Sequence, residues 1–146
     1  MQLSDLLLLH MEKIKPVIYW TARIAAAVIM VQTLYFKFSG AEESIYIFST
    51  VGMEPWGRIG TGVFELIASI LLLINATAWL GALVGLGMMA GAMFFHLTIL
   101  GIDVKGDGGY LFLLAVLVAV FCAIVLAFNR QRITNIVTQV LAKKKN

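Results

Sequence analysis

The chain has 146 residues, 61% of them hydrophobic and only 13% charged, with a mean hydropathy of +0.95 and a formal net charge of +3. Soluble domains carry about 25% charged and roughly 45–50% apolar residues, so this composition excludes an ordinary soluble globule and points to one membrane domain. A single cysteine, Cys122, excludes an internal disulfide, a CxxC redox pair and a multi-thiolate metal site.

The first segment, "MQLSDLLLLHMEKIKP", is no secretory signal, because its apolar run is short and its cations follow that run rather than precede it. It predicts a short amphipathic helix over 1–16, capped by Ser4 and lying at the membrane surface, with Pro16 opening the first span. Crossing the hydrocarbon core takes about 20 mostly apolar residues. Four blocks qualify: 17–36, 58–75, 79–100 and 109–128. The first carries Arg23 and, just beyond its end, Lys37; at about 100° per residue these roughly share a face, with Gln32 nearly opposite Arg23. The connection "SGAEESIYIFSTVGMEPWG" mixes Ile45, Ile47, Phe48 and Val51 with Glu42 and Glu43, and predicts a surface helix followed by a turn.

In the second span Arg58, Thr61 or Gly62, Glu65 and Ser69 recur at helical spacing as one polar and small-residue stripe. "NATAW" leaves room only for a tight hairpin into the third span, where Gly81, Gly85, Ala92 and His96 lie on roughly one face. A second pair, Gly87 and Gly91, predicts close packing on another side. "GIDVKGDGG" is a polar glycine-rich loop before the fourth span, in which Cys122 reads as a small apolar packer. The tail 129–146 places Ile133, Ile136, Val137, Val140 and Leu141 on one stripe among cations, which suits anionic lipid headgroups and not nucleic acid. The expected architecture is therefore all-α: an integral membrane four-helix bundle over 17–128 with short interfacial amphipathic helices. No internal repeat is visible.

An even number of spans puts both termini on one side. That side holds Lys13, Lys15, Arg130, Arg132, Lys143, Lys144 and Lys145, whereas Lys37, Arg58 and Lys105 opposite are outnumbered by acids. Both termini are thus expected in the cytoplasm. Ionisable groups inside spans usually face the bundle interior and pair. Glu65 and His96 should reach similar depths on adjacent helices and meet directly or through water. With Lys37 and the loop acids Asp103 and Asp107, they would form an outward-opening polar pocket walled by Phe36, Phe64, Met89, Met93 and Phe95. The candidate polar cluster is Arg23, Lys37, Arg58, Glu65 and His96. Trp20, Trp56, Trp79 and Tyr110 suit an interfacial aromatic belt. His10 and His96 fall on opposite sides of the membrane, which excludes an intramolecular bis-histidine haem, and no metal site is expected.

The runs "TARIAAAVIMVQTLYFKFSG", "VGMEPWGRIGTGVFELIASILLL" and "MMAGAMFFH", in that order, resemble the DoxX family of small four-helix membrane proteins. The resemblance covers about residues 17–128 and carries over Arg23, Lys37, Glu65 and His96. It implies a bacterial inner-membrane protein, with some relatives linked to redox defence and to complexes with soluble oxidoreductases. The chain has no flavin, haem or iron–sulfur signature of its own, so the resemblance implies a redox-linked accessory subunit. Such a subunit would bind a quinone or similar ligand in the outward pocket beside an oxidoreductase partner. A structural or assembly subunit of a membrane complex is the alternative. A small anion or weak-acid transporter ranks below both, since no broken helix or repeat is read.

Overall fold

The computed structural model describes residues 2–143. Six helices follow in order: α1 (Leu3–Ser39), α2 (Glu42–Thr50), α3 (Trp56–Leu73), α4 (Ala78–Phe95), α5 (Tyr110–Phe128) and α6 (Arg130–Lys143); α4 continues as a π-helical turn, His96–Leu100. Four of them, α1, α3, α4 with its π turn, and α5, are long and apolar enough to cross a membrane. Because lipid offers no partner to backbone N–H and C=O groups, each apolar block satisfies them within one helix. The expected second, third and fourth spans and the short turn between the second and third accordingly fall within two residues of where the hydropathy placed them, whereas the first, expected over 17–36, lies inside a longer stretch, His10–Ser39.

The four long helices close into a bundle in which α1 and α4 each pack on α3 and α5. Its core is built from Ala22, Ala26, Met30, Ala68, Leu72, Ala82, Met89, Val118, Cys122 and Val125. Alanines at so many contacts let helix backbones approach, the usual route to packing where lipid removes any hydrophobic drive between helices. Outward-facing Val28, Phe64, Ile70, Leu113 and Val120 are half or more exposed, which suits an acyl-chain surround. Cys122 is fully buried, as its expected packing role requires.

Gly81 is the tightest point. A Cβ there would lie 2.5 Å from the Leu72 nitrogen and 2.7 Å from the Ala68 oxygen, both backbone atoms that cannot swing away. Gly87 and Gly91 have nothing within 4 Å and face outward, so the second packing side expected from that pair has no partner in this chain. Gly81→Ala should therefore destabilise the bundle by about 1–3 kcal/mol through overpacking. Gly87→Ala should be neutral or stabilise by up to about 1 kcal/mol through helix propensity. Thermal unfolding of the two variants in one detergent checks the contrast.

The expected separate surface helix over 1–16 is instead the first part of α1, which runs unbroken for 37 residues through Pro16. At 1.5 Å per residue α1 is about 55 Å long against a core of roughly 30 Å, so it extends well past the bundle. Pro16 removes only the bond to the Glu12 carbonyl, and Glu12 is exposed, where water can replace it. The helix starts at Leu3 with Gln2 as its cap, so Ser4 lies inside the first turn and not at the cap position. At the opposite end, α2 lies against α1, α3 and the π turn, with the loop 101–109 beside it. This is the loop end; α6 and the start of α1 mark the terminal end. Along α6, Ile133 and Ile136 are half-buried while Val137, Val140 and Leu141 are exposed; Lys144 and Lys145 lie outside the described residues.

Candidate functional site

Glu65 is held from α1. Lys37 Nζ donates to Glu65 Oε2 at 2.8 Å and to Thr33 Oγ1 at 3.0 Å, with side-chain exposures of 15% for Lys37 and 7% for Glu65. Thr33 Oγ1 lies 2.9 Å from the same Oε2 and 2.8 Å from the Met30 carbonyl, its single proton serving one of them at a time. Helical geometry explains the assembly. Thr33 and Lys37 are four apart and share a face, while Gly62, Glu65 and Ser69 form the buried stripe of α3. Ser69 Oγ donates to the Glu65 carbonyl at 2.7 Å.

Arg58 belongs to that stripe but does not reach Glu65. Its Nε lies 2.9 Å from both oxygens of Glu54, and Nη2 donates to Glu54 Oε1 at 2.7 Å. Its Nη1 donates to the backbone carbonyl of Lys37. Lys37 thus ties α1 to α3 twice, through its ammonium to Glu65 and through its carbonyl to Arg58.

Arg23 joins the same two helices at the terminal end. It is fully buried, with Nε donating to the Leu72 carbonyl at 2.6 Å and Nη1 to Asn75 Oδ1 at 2.6 Å. Its guanidinium carbon stands 3.9 Å from the Trp20 ring centre and 5.0 Å from that of Tyr19. Leu72 sits in the last turn of α3, whose carbonyls lack helical partners and favour a cation. No carboxylate is among these contacts, and among the described residues Nη2 is buried without a partner.

His96 stands apart from the other four. Its Nδ1 is 2.9 Å from the Gly101 carbonyl, which can only accept, so Nδ1 carries the proton. Its ring meets Phe112 edge-on at 5.7 Å. Among the described residues no hydrogen bond joins His96 to Glu65, because the π-helical turn that begins at His96 directs its ring to its own loop.

The loop acids are also consumed locally. Asp103 Oδ1 accepts from the Gly108 N–H at 3.1 Å, and Lys105 bonds Glu42 of α2. Asp107 accepts from Val104 N at 2.8 Å and from Gly109 N and Leu111 N at 2.9 Å each, which caps α5. Partial burial pushes the Asp107 carboxyl up, but the three backbone N–H donors outweigh it and hold the group below its ordinary 3.8. A lowered native pKa adds stability that is complete above the ordinary value and is lost as pH falls through the lower one. Asp107→Asn should cost roughly 0.5–2 kcal/mol near neutral pH and remove this acid-dependent part, as a melting series from pH 7 to pH 3 would read.

The expected pocket walls divide in the same way. Met89 is buried, Met93 and Phe95 are half-buried, but Phe36 and Phe64 are 51% and 55% exposed on the lipid-facing side. Partners not foreseen are Thr33, Glu54 and Asn75. Thr33 stands four residues before Lys37 within α1 and was open to a helix-spacing reading; Glu54, in the turn before α3, and Asn75, in the hairpin, carry no such signal. What the arrangement does chemically is clamp α1 to α3 at both ends with charge.

The DoxX family model matches residues 19–98, from the first turns of the α1 span to the π turn, and takes in Arg23, Lys37, Arg58, Glu65 and His96. No curated protein and no solved structure matches the chain. With four apolar helices and no strand among the described residues, it is an all-α multi-pass membrane protein. The match covers more than half of the sequence, and the chain belongs to the DoxX family.

Proposed function

We propose that this DoxX protein is a structural or assembly subunit of a membrane complex, and that its intramembrane charges lock helices instead of performing chemistry. The observation that carries this reading is the engagement of Glu65: one carboxylate oxygen lies within hydrogen-bond distance of both Lys37 Nζ and Thr33 Oγ1 in a largely buried site. Buried pairs of this kind fix register and geometry more than they add stability. Arg58 and Arg23, bonded to Glu54 and to the end of α3, extend the same role to both ends of the bundle.

In this proposal the chain sits in the bacterial inner membrane with both termini cytoplasmic, as the excess of lysine and arginine at the terminal end favours. Redox work would belong to a soluble or membrane oxidoreductase partner that brings its own electron carrier. Titrating the purified protein with a short-chain quinone, read by tryptophan fluorescence, tests the point. No saturable change is expected. Saturable binding that disappears in Glu65→Gln, with the fold retained, would overturn the scaffold reading in favour of a ligand site.

A further inference from the structure

The terminal end carries a shallow cleft, open to the surface, that the clamps do not use. It lies between α1 and the corner where α5 turns into α6, in two adjoining parts of about 290 and 350 Å³ that share Lys15 and Phe128. Tyr19 and Asn129 line one part and Arg130 the other. The corner is built: Asn129 Nδ2 lies 3.0 Å from the Tyr19 hydroxyl and donates to the Val125 carbonyl at 2.8 Å, which fixes α5 against α1.

The chemistry of the cleft is lopsided. Lys15 and Arg130 line it, and the Arg23 guanidinium, which among the described residues meets no carboxylate and has Nη2 unpartnered, lies 5.0 Å from the centre of the Tyr19 ring that forms the wall. From Tyr110 to Lys143 the sequence has no acid, and α1 has only Asp5 and Glu12. Glu12 bonds Lys15 at 2.6 Å, but both are exposed, and such a pair contributes little. A buried guanidinium acts through a low dielectric and reaches further than a surface charge. Phe128 is the last residue of α5 and Pro16 precedes the most apolar run of α1, so Lys15 and Arg130 stand where the apolar stretches end, beside a largely apolar floor.

We propose that this cleft is a binding site for one anionic phospholipid, its phosphate between Lys15 and Arg130 and an acyl chain laid along Phe128 and Tyr19. A free phosphate would satisfy the cations but leave the apolar floor uncovered, which is why the lipid is the occupant. The inference stands independently of the scaffold reading.

The test is native mass spectrometry of the detergent-solubilised full chain titrated with phosphatidylglycerol or phosphatidylcholine. Two variants of equal charge are compared: Lys15→Gln/Arg130→Gln at the cleft and Lys13→Gln/Lys143→Gln away from it. All four positions are exposed, so folding is not at stake. One phosphatidylglycerol should be retained with saturation, its affinity falling about tenfold or more in the cleft variant and little in the control, with no comparable phosphatidylcholine adduct. Equal losses in both variants would reduce the effect to diffuse surface charge and overturn the proposal, as would equal binding of the two lipids or no loss in either variant. Glycerol phosphate added at the lipid's concentration should not displace it; full displacement would make this a free-phosphate site and overturn the lipid assignment.

Discussion

Lys37→Met should lower the stability of the bundle by about 3–5 kcal/mol, the range for removing one partner of a buried ion pair. The orphaned Glu65 carboxylate is short, sits mid-helix in α3 and is only 7% exposed. Glu65→Gln should cost less, about 1–3 kcal/mol, because its amide oxygen still accepts a hydrogen bond. The freed ammonium of Lys37, in the last turn of α1, can also swing toward the interface. The charge-free pair Lys37→Met/Glu65→Leu should recover most of the loss, since well-packed apolar residues often replace a buried ion pair at little cost. Thr33 would not be stranded, because its hydroxyl can still donate to the Met30 carbonyl at 2.8 Å. Unfolding titrations of the two single variants and the double variant give the coupling directly. A double variant as unstable as Lys37→Met alone would refute this account of the clamp.

Arg23→Leu should cost about 2–4 kcal/mol, and Arg23→Lys should recover little of it. Two charge-assisted hydrogen bonds disappear, each typically worth ~1.5–3 kcal/mol, offset in part because a charge no longer has to be buried. Lysine keeps the charge but has no planar fork, and Nε and Nη1 reach two acceptors, Leu72 O and Asn75 Oδ1, at once. Asn75→Ala should cost less than Arg23→Leu, since the Leu72 carbonyl keeps its donor. Melting temperatures of the three variants rank them. If Arg23→Lys were as stable as the natural chain, charge alone and not the fork would explain the contact.

The clamps also mark how far a reading of the residues carries. The buried face of α3 was legible because Arg58, Gly62, Glu65 and Ser69 recur at the helical period, and all four are buried. The face of α1 was legible for the same reason, with Arg23 fully buried and Gln32 exposed. What the period does not contain is depth and choice of partner. Level and adjacency alone pair Glu65 with His96. Lys37 took the carboxylate and the Gly101 carbonyl took the imidazole, because one arrives from α1 on the shared face and the other lies within the same chain turn. Arg58 likewise bonds Glu54, in the turn just before α3, and not Glu65, two turns further along the helix.

The amino-acid sequence by itself determined that the chain is a membrane protein, that four segments are long and apolar enough to cross one, and that the polar stripes of α1 and α3 turn inward. Hydrocarbon leaves a backbone no alternative to the helix, and a charged side chain no alternative to the bundle interior. Tertiary structure alone decided that α1 ignores Pro16, that Gly81 and not Gly87 carries the close approach, and which polar group meets which. Those outcomes depend on how helices rotate and slide against one another. A shift of one residue changes facing by about 100° and height by about 1.5 Å, enough to exchange one hydrogen-bond partner for another.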